Sequence, residues 1–122
     1  MTKGATLQQF FSQFLTAYAA TSVPEDVIFP YLTYDAVFDA WGGEPVSLTV
    51  NLWFYTESEA VPNAKADEIS KALEGGAVLD MGNGEYIVLH RGSPWCQALR
   101  DETNNNVKRR YLNVTADYLC HF

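Results

Sequence analysis

VSLTVNLWFYT, residues Val46 to Thr56, decides the fold. Val46, Leu48, Val50, Leu52 and Phe54 occupy one side of a strict alternation, and Ser47, Thr49, Asn51, Trp53 and Tyr55 the other. Period-two alternation in β-branched and aromatic residues predicts a strand with one dry face. At about 3.3 Å per residue it spans roughly 36 Å, longer than most strands. Trp53 and Tyr55 fall on the side that is otherwise polar, so something should cover that second face near one end.

The flanking segments extend this strand into a sheet. Tyr31 to Ala40 alternates Leu32, Tyr34, Ala36 and Phe38 against Tyr31, Thr33, Asp35 and Val37. The Gly42-Gly43 turn between Trp41 and Pro45 then predicts an antiparallel hairpin. Further on, Ala77 to Met81 and Glu85 to His90 flank Gly82-Asn83-Gly84, residues that tolerate positive φ, and predict a second hairpin. Arg91 to Leu99 (RGSPWCQAL) reads as a loop or single turn, and Asp101 to Asn106 (DETNNN) as a polar tip. Val107 to Phe122 closes the chain as a strand, with Leu112, Val114, Ala116, Tyr118 and Cys120 alternating against Tyr111, Asn113, Thr115 and Asp117. Tyr111 and Tyr118 leave open which of its faces is buried.

Two segments carry helical spacing instead. After a loose end from Met1 to Ala5, Thr6 and Gln9 have capping-box spacing. Leu7, Phe10, Phe11, Phe14, Leu15 and Tyr18 then form an apolar stripe that predicts a helix ending near Ala20. Thr21 to Pro30, broken by Pro24 and Pro30, is a connector. Asn63, after Pro62, is a candidate cap for a second helix with Ala66, Ile69, Ala72 and Leu73 on its stripe. Asp67 and Lys71 have the favourable i,i+4 order, and Gly75-Gly76 ends the helix. The order helix, strand, strand, helix, strand, strand, strand predicts a single α+β domain over residues 1–122. Its sheet is mainly antiparallel, of about five strands, with two helices packed on one face.

Composition narrows the function. The 122 residues are 48% hydrophobic, 14% aromatic and 19% charged, which is a packed globule and not a disordered chain. The longest apolar runs fall well short of the roughly 20 residues a membrane helix needs. The N-terminus also lacks a secretion-signal pattern. These features predict a protein made in a cytoplasm, with no membrane partner. A net charge of -7, from 15 acidic against 8 basic residues, weighs against nucleic-acid binding, since the average surface repels phosphate. Cys96 and Cys120 are expected to be reduced and half-buried.

The usual signatures of catalysis are missing: no Gly-x-Ser-x-Gly, phosphate loop, His-Glu-x-x-His or Cys-x-x-Cys occurs. His90, Cys96, Cys120 and His121 are the soft metal ligands, but only the last two are close in sequence, and neighbours on a strand point to opposite faces. The acid and base candidates are Asp35, Asp39, Asp80, Glu85 and Asp117, and carboxylates on a wet sheet face account for them far better than catalysis does. Nothing local marks Cys96 as a nucleophile paired with His90. No catalytic residue, cofactor or metal is expected.

What remains is surplus aromatic surface. Trp41, Trp53, Tyr55, Trp95 and Tyr111 fall at turns or on faces the helices should not cover, and such residues are enriched where proteins meet proteins. With the basic triplet Lys108, Arg109 and Arg110, this selects Trp53, Tyr55, Trp95, Lys108, Arg109 and Arg110 as candidate subunit-interface residues. Three basic charges beside a strand are more often a solvated or interface patch than a phosphate track.

Several phrases together resemble one family, the tail terminator (tail completion) proteins of long-tailed bacteriophages and prophages. They are SVPEDVIFPYLTY at Ser22 to Tyr34, PVSLTVNLWFYTES at Pro45 to Ser58, LEGG at Leu73 to Gly76, RGSPW at Arg91 to Trp95, and KRRYLNV at Lys108 to Val114. The resemblance is one of order along nearly the whole chain. It implies a structural virion protein without enzymatic activity, assembled in the bacterial host cytoplasm. In that family small α+β subunits form a ring, typically hexameric, that caps the tail tube, ends its polymerisation and joins it to the head connector. Expected partners are therefore further copies of the chain, the tail tube protein and the head-tail connector protein, with no specific nucleic acid. An acidic protein also suits a ring through which DNA passes; Lys108 to Arg110 run against that, and in such a ring would instead pair with acidic residues of a neighbouring subunit. The rival expectation is a cone-shaped α+β domain that binds or converts a small molecule, with Asp35, His90 or Asp117 facing an interior. The short, Ala-rich second helix leaves little room for one.

Overall fold

The computed structural model describes residues 1–101 and 103–120, with Arg100 described by its backbone alone. The chain runs α1 (Lys3–Phe11), β1 (Thr16–Ala19), β2 (Tyr31–Tyr34), β3 (Val46–Tyr55), α2 (Ala60–Ala72), β4 (Ala77–Gly82), β5 (Glu85–Arg100) and β6 (Val107–Cys120). The strands form one six-stranded sheet in the order β1-β2-β3-β6-β5-β4. β1 pairs with β2 in parallel and every other pair is antiparallel. This is the α+β architecture expected, with one strand more.

Alternation on β3 works as the sequence predicts. Leu48, Val50, Leu52 and Phe54 are buried, and the register sets Leu48 opposite Val114, Val50 opposite Leu112 and Leu52 opposite Leu32. Ile87 and Leu89 of β5 and Ala116 and Tyr118 of β6 continue the same face. Leu7, Phe10 and Phe11 of α1 and Ala66 and Ile69 of α2 join that one cluster, so both helices lie on the inner face. For β6 the structure settles the choice: the even-numbered residues from Arg110 to Tyr118 face the core.

The first helix differs from expectation at both ends. Its N-cap is Thr2, whose hydroxyl accepts from Ala5 N at 3.1 Å, while Thr6 is buried and donates its own hydroxyl to Thr2 O at 2.8 Å. Met1 is not loose, since its amino group donates to Met81 O at 3.0 Å. The helix stops at Phe11, and Thr16-Ala17-Tyr18-Ala19 becomes the edge strand β1. Tyr18 continues the helical stripe by spacing alone; in the sheet it points outward and meets the Tyr31 ring at 6.3 Å.

Three further boundaries are corrected. β2 ends at Tyr34, short of the expected Ala40. α2 begins three residues before Asn63, with Glu59 at its N-cap and Pro62 in the first turn, where a missing N–H removes no helical bond. RGSPWCQAL is not a loop: it continues β5 through a bulge in which Gly92, Ser93, Pro94 and Trp95 stand opposite the single residue Asn113. The connector at Thr21 to Pro30, the Asn83-Gly84 turn with both φ values positive, and the two glycines after α2 all stand where predicted.

Candidate functional site

With both helices on one side, the other face of the sheet carries its own side chains and, at one corner, Phe29 of the connector. Tyr31, Trp53 and Arg109 stand side by side across β2, β3 and β6. The Tyr31 and Trp53 rings stack with centroids 5.9 Å apart and planes 11° from parallel. On the β6 side the Arg109 guanidinium carbon lies 5.0 Å from the Trp53 ring, a cation–π contact. Two hydrogen bonds fix the row: Trp53 Nε1 donates to Thr33 Oγ1 at 3.0 Å, and Arg109 Nε donates to Asn51 Oδ1 at 2.8 Å. Trp53 is thus held, half-buried, between a ring and a guanidinium.

One step along the strands, Tyr55 is 56% exposed and its ring lies 5.9 Å from that of Phe29, which in turn packs 5.3 Å from Tyr31. The polar side chains of Asn104 and Asn106 hold the Tyr55 hydroxyl below its ordinary pKa. Val61 of α2 (50% exposed) borders the same corner, where an open hollow is lined by Phe29, Pro30, Phe54, Tyr55, Thr56 and Val61. This is an apolar and aromatic corner in which, among the described residues, Arg109 is the one fixed cation.

A second corner lies diagonally across the same face. Val78, Val88 and Asp117 share one row across β4, β5 and β6, and Asp80, Tyr86 and Leu119 share the next. Val78 is 65% exposed and Leu119 41%, although both sit on strands whose alternate residues are core. Sequence reasoning missed this corner, as it missed Tyr31 and Phe29. The available signal was apolar residues at positions that alternation assigns to solvent.

The candidate interface residues do not gather in one place. Trp53, Tyr55 and Arg109 share the outer face. Trp95, in the β5 bulge, packs half-buried against the core, and its indole N–H is buried without an acceptor among the described residues. Trp41 also turns inward, with its ring 6.4 Å from Tyr118 and Lys3 Nζ 4.3 Å above it. The basic triplet is split by the pleat: Lys108 and Arg110 face inward toward α2. There Arg110, 2% exposed, donates from Nη2 to Glu59 Oε2 at 2.6 Å and from Nε to Asn63 Oδ1 at 2.9 Å. Lys108 Nζ lies 3.8 Å from the other Glu59 oxygen. Arg110 is therefore committed within its own chain, and Arg109 alone of the three belongs to the outer face.

The acid and base candidates are likewise dispersed. Asp35 is held by Thr49, Asp39 accepts from the Ala40 N–H, and Glu85 and Asp80 flank the β4–β5 turn. His90 and Asp117 share the outer face in adjacent rows, but no hydrogen bond joins them among the described residues. Cys96 points inward and His90 outward, so the sheet separates that pair, and burial pushes the Cys96 thiol above its usual pKa. No group of three or more His, Cys, Asp or Glu side chains converges among the described residues; His121 lies outside them. No helix among the described residues is long and apolar enough to cross a membrane. Compared with known proteins, the chain matches no family model, no curated protein and no solved structure.

Proposed function

We propose that the chain is a structural subunit of a phage or prophage virion, whose copies close into a ring on the tail tube. The ring ends tube polymerisation and offers its far surface to the head connector. The family reading comes from the order of phrases along the sequence. What supports self-association independently is the outer sheet face, where Trp53, Tyr31, Tyr55, Val78 and Leu119 present aromatic and apolar surface that neither helix covers. Exposed apolar surface rimmed by polar groups is the mark of an interaction site. A ring further requires two different surfaces on each subunit, and two separate corners are available. In this reading the chain carries no catalytic centre and needs no cofactor.

Electron microscopy of growing tail tubes with and without the protein tests the reading. Arrested tubes carrying a ring of this chain at one end are expected. Tubes that elongate unchanged, with no density added at either end, would overturn it.

A further inference from the structure

The two corners of the outer face differ in sign, and we infer that they are partners: the Tyr55–Arg109 corner of one copy docks on the Val78–Leu119 corner of another. The inference rests on the self-association in the proposed function and specifies its contact. Of the described residues that point outward from the strands, Arg109 is the one fixed cation, and Asp80 and Asp117 are the carboxylates. Arg109 and Asp117 lie on the same strand, and at about 3.3 Å per residue they are roughly 26 Å apart. Within one copy they cannot meet.

Each corner is built for a partner. Stacking on Trp53 and the bond from Nε to Asn51 preorganise the guanidinium, which forms no ion pair among the described residues. A stacked arginine loses little further freedom on binding and presents its remaining donors in a fixed plane. Across the face, Asp117 is flanked by Val88 in its own row and Leu119 in the next, so its carboxylate stands beside apolar side chains. Apolar contact supplies affinity, and the charges fix which corner meets which. Like corners brought together would oppose Arg109 to Arg109 or aspartates to aspartates, so the complementary match is corner to opposite corner.

Light scattering on the full chain tests this, with circular dichroism to confirm that each variant is folded. Asp117→Arg should weaken association by roughly tenfold or more, and Arg109→Glu should do the same. The double variant R109E/D117R, which restores opposite charges across every contact, should recover most of the loss. Glu68→Lys, a similar charge change on α2 and so on the opposite side of the sheet from both corners, should leave association unchanged. Because Arg109→Glu also removes the Asn51 bond, a second probe is independent of it. Tyr55→Cys combined with Val78→Cys should give oxidised multimers that neither single variant gives above the wild-type background.

Association unaffected by Asp117→Arg, or disturbed as much by Glu68→Lys, would overturn the contact while leaving the ring reading standing. A charge-sensitive dimer that grows no further would support the contact and overturn the ring. A wild-type chain that stays monomeric throughout would overturn both.

Discussion

Arg110 Nη2 lies 2.6 Å from Glu59 Oε2, yet the arginine side chain is 3% exposed and the glutamate side chain 61%. The two ends of the pair therefore carry different burdens. Arg110 has given up its water and depends on Glu59 and Asn63, whereas Glu59 keeps most of its hydration. Stranding a buried charge costs several kcal/mol, while releasing an exposed partner costs little. Glu59→Ala should destabilise the fold by about 3 kcal/mol and Arg110→Met by only about 1 kcal/mol. Urea denaturation of the two variants checks the order, and equal losses would refute it.

Tyr118 sets an alkaline limit. Its hydroxyl donates to Val37 O at 2.6 Å, and burial, with Asp39 nearby, pushes its pKa from 10.0 up to about 12. The unfolded chain loses this proton first, so stability is unaffected below pH 10 and falls as pH rises from 10 through 12. At about 1.4 kcal/mol per unit the loss approaches roughly 2 to 3 kcal/mol. Tyr118→Phe should cost about 1 kcal/mol at neutral pH and flatten most of the alkaline decline. Some slope should persist, because burial also raises Tyr31 and Tyr34. Melting temperatures between pH 8 and 11 would show the difference.

The glycine pair after α2 separates backbone strain from crowding. Gly75 and Gly76 have φ of +74° and +93°, but a methyl on Gly75 meets nothing, whereas one on Gly76 would sit 2.8 Å from His90 Cε1. Gly75→Ala should cost about 1 kcal/mol from conformation alone, and Gly76→Ala about twice that. In a His90→Ala background the two should converge. A persistent gap in thermal melts of that series would show that the ring is not the obstacle.

Legibility of the sequence followed the physics of each segment. β3 was plain because every second residue from Leu48 to Phe54 is core and the pattern runs unbroken. Tyr18 misled because one residue fits both periods: it is eleven positions after Leu7, in line with the helical stripe, and also outward on a strand beside Thr33. Only the pairing with β2, a tertiary event, chooses between them. The β5 bulge was hidden for a related reason, since Gly92 and Pro94 signal a break while the backbone on either side keeps its ladder to β6. For the candidate surface, Trp53 and Tyr55 were readable as apolar residues on a polar face. The splitting of Lys108, Arg109 and Arg110 followed from strand alternation alone, once the buried face of β6 was known.

Mass in solution tests the central claim, self-assembly through the uncovered sheet face, most directly. Light scattering over a wide concentration range, at low and high salt, should show the 13.7 kDa chain giving way to a species of about six copies as concentration rises. Added salt should shift that midpoint upward by screening Arg109 from its partners. A mass fixed at 13.7 kDa under every condition would contradict the account.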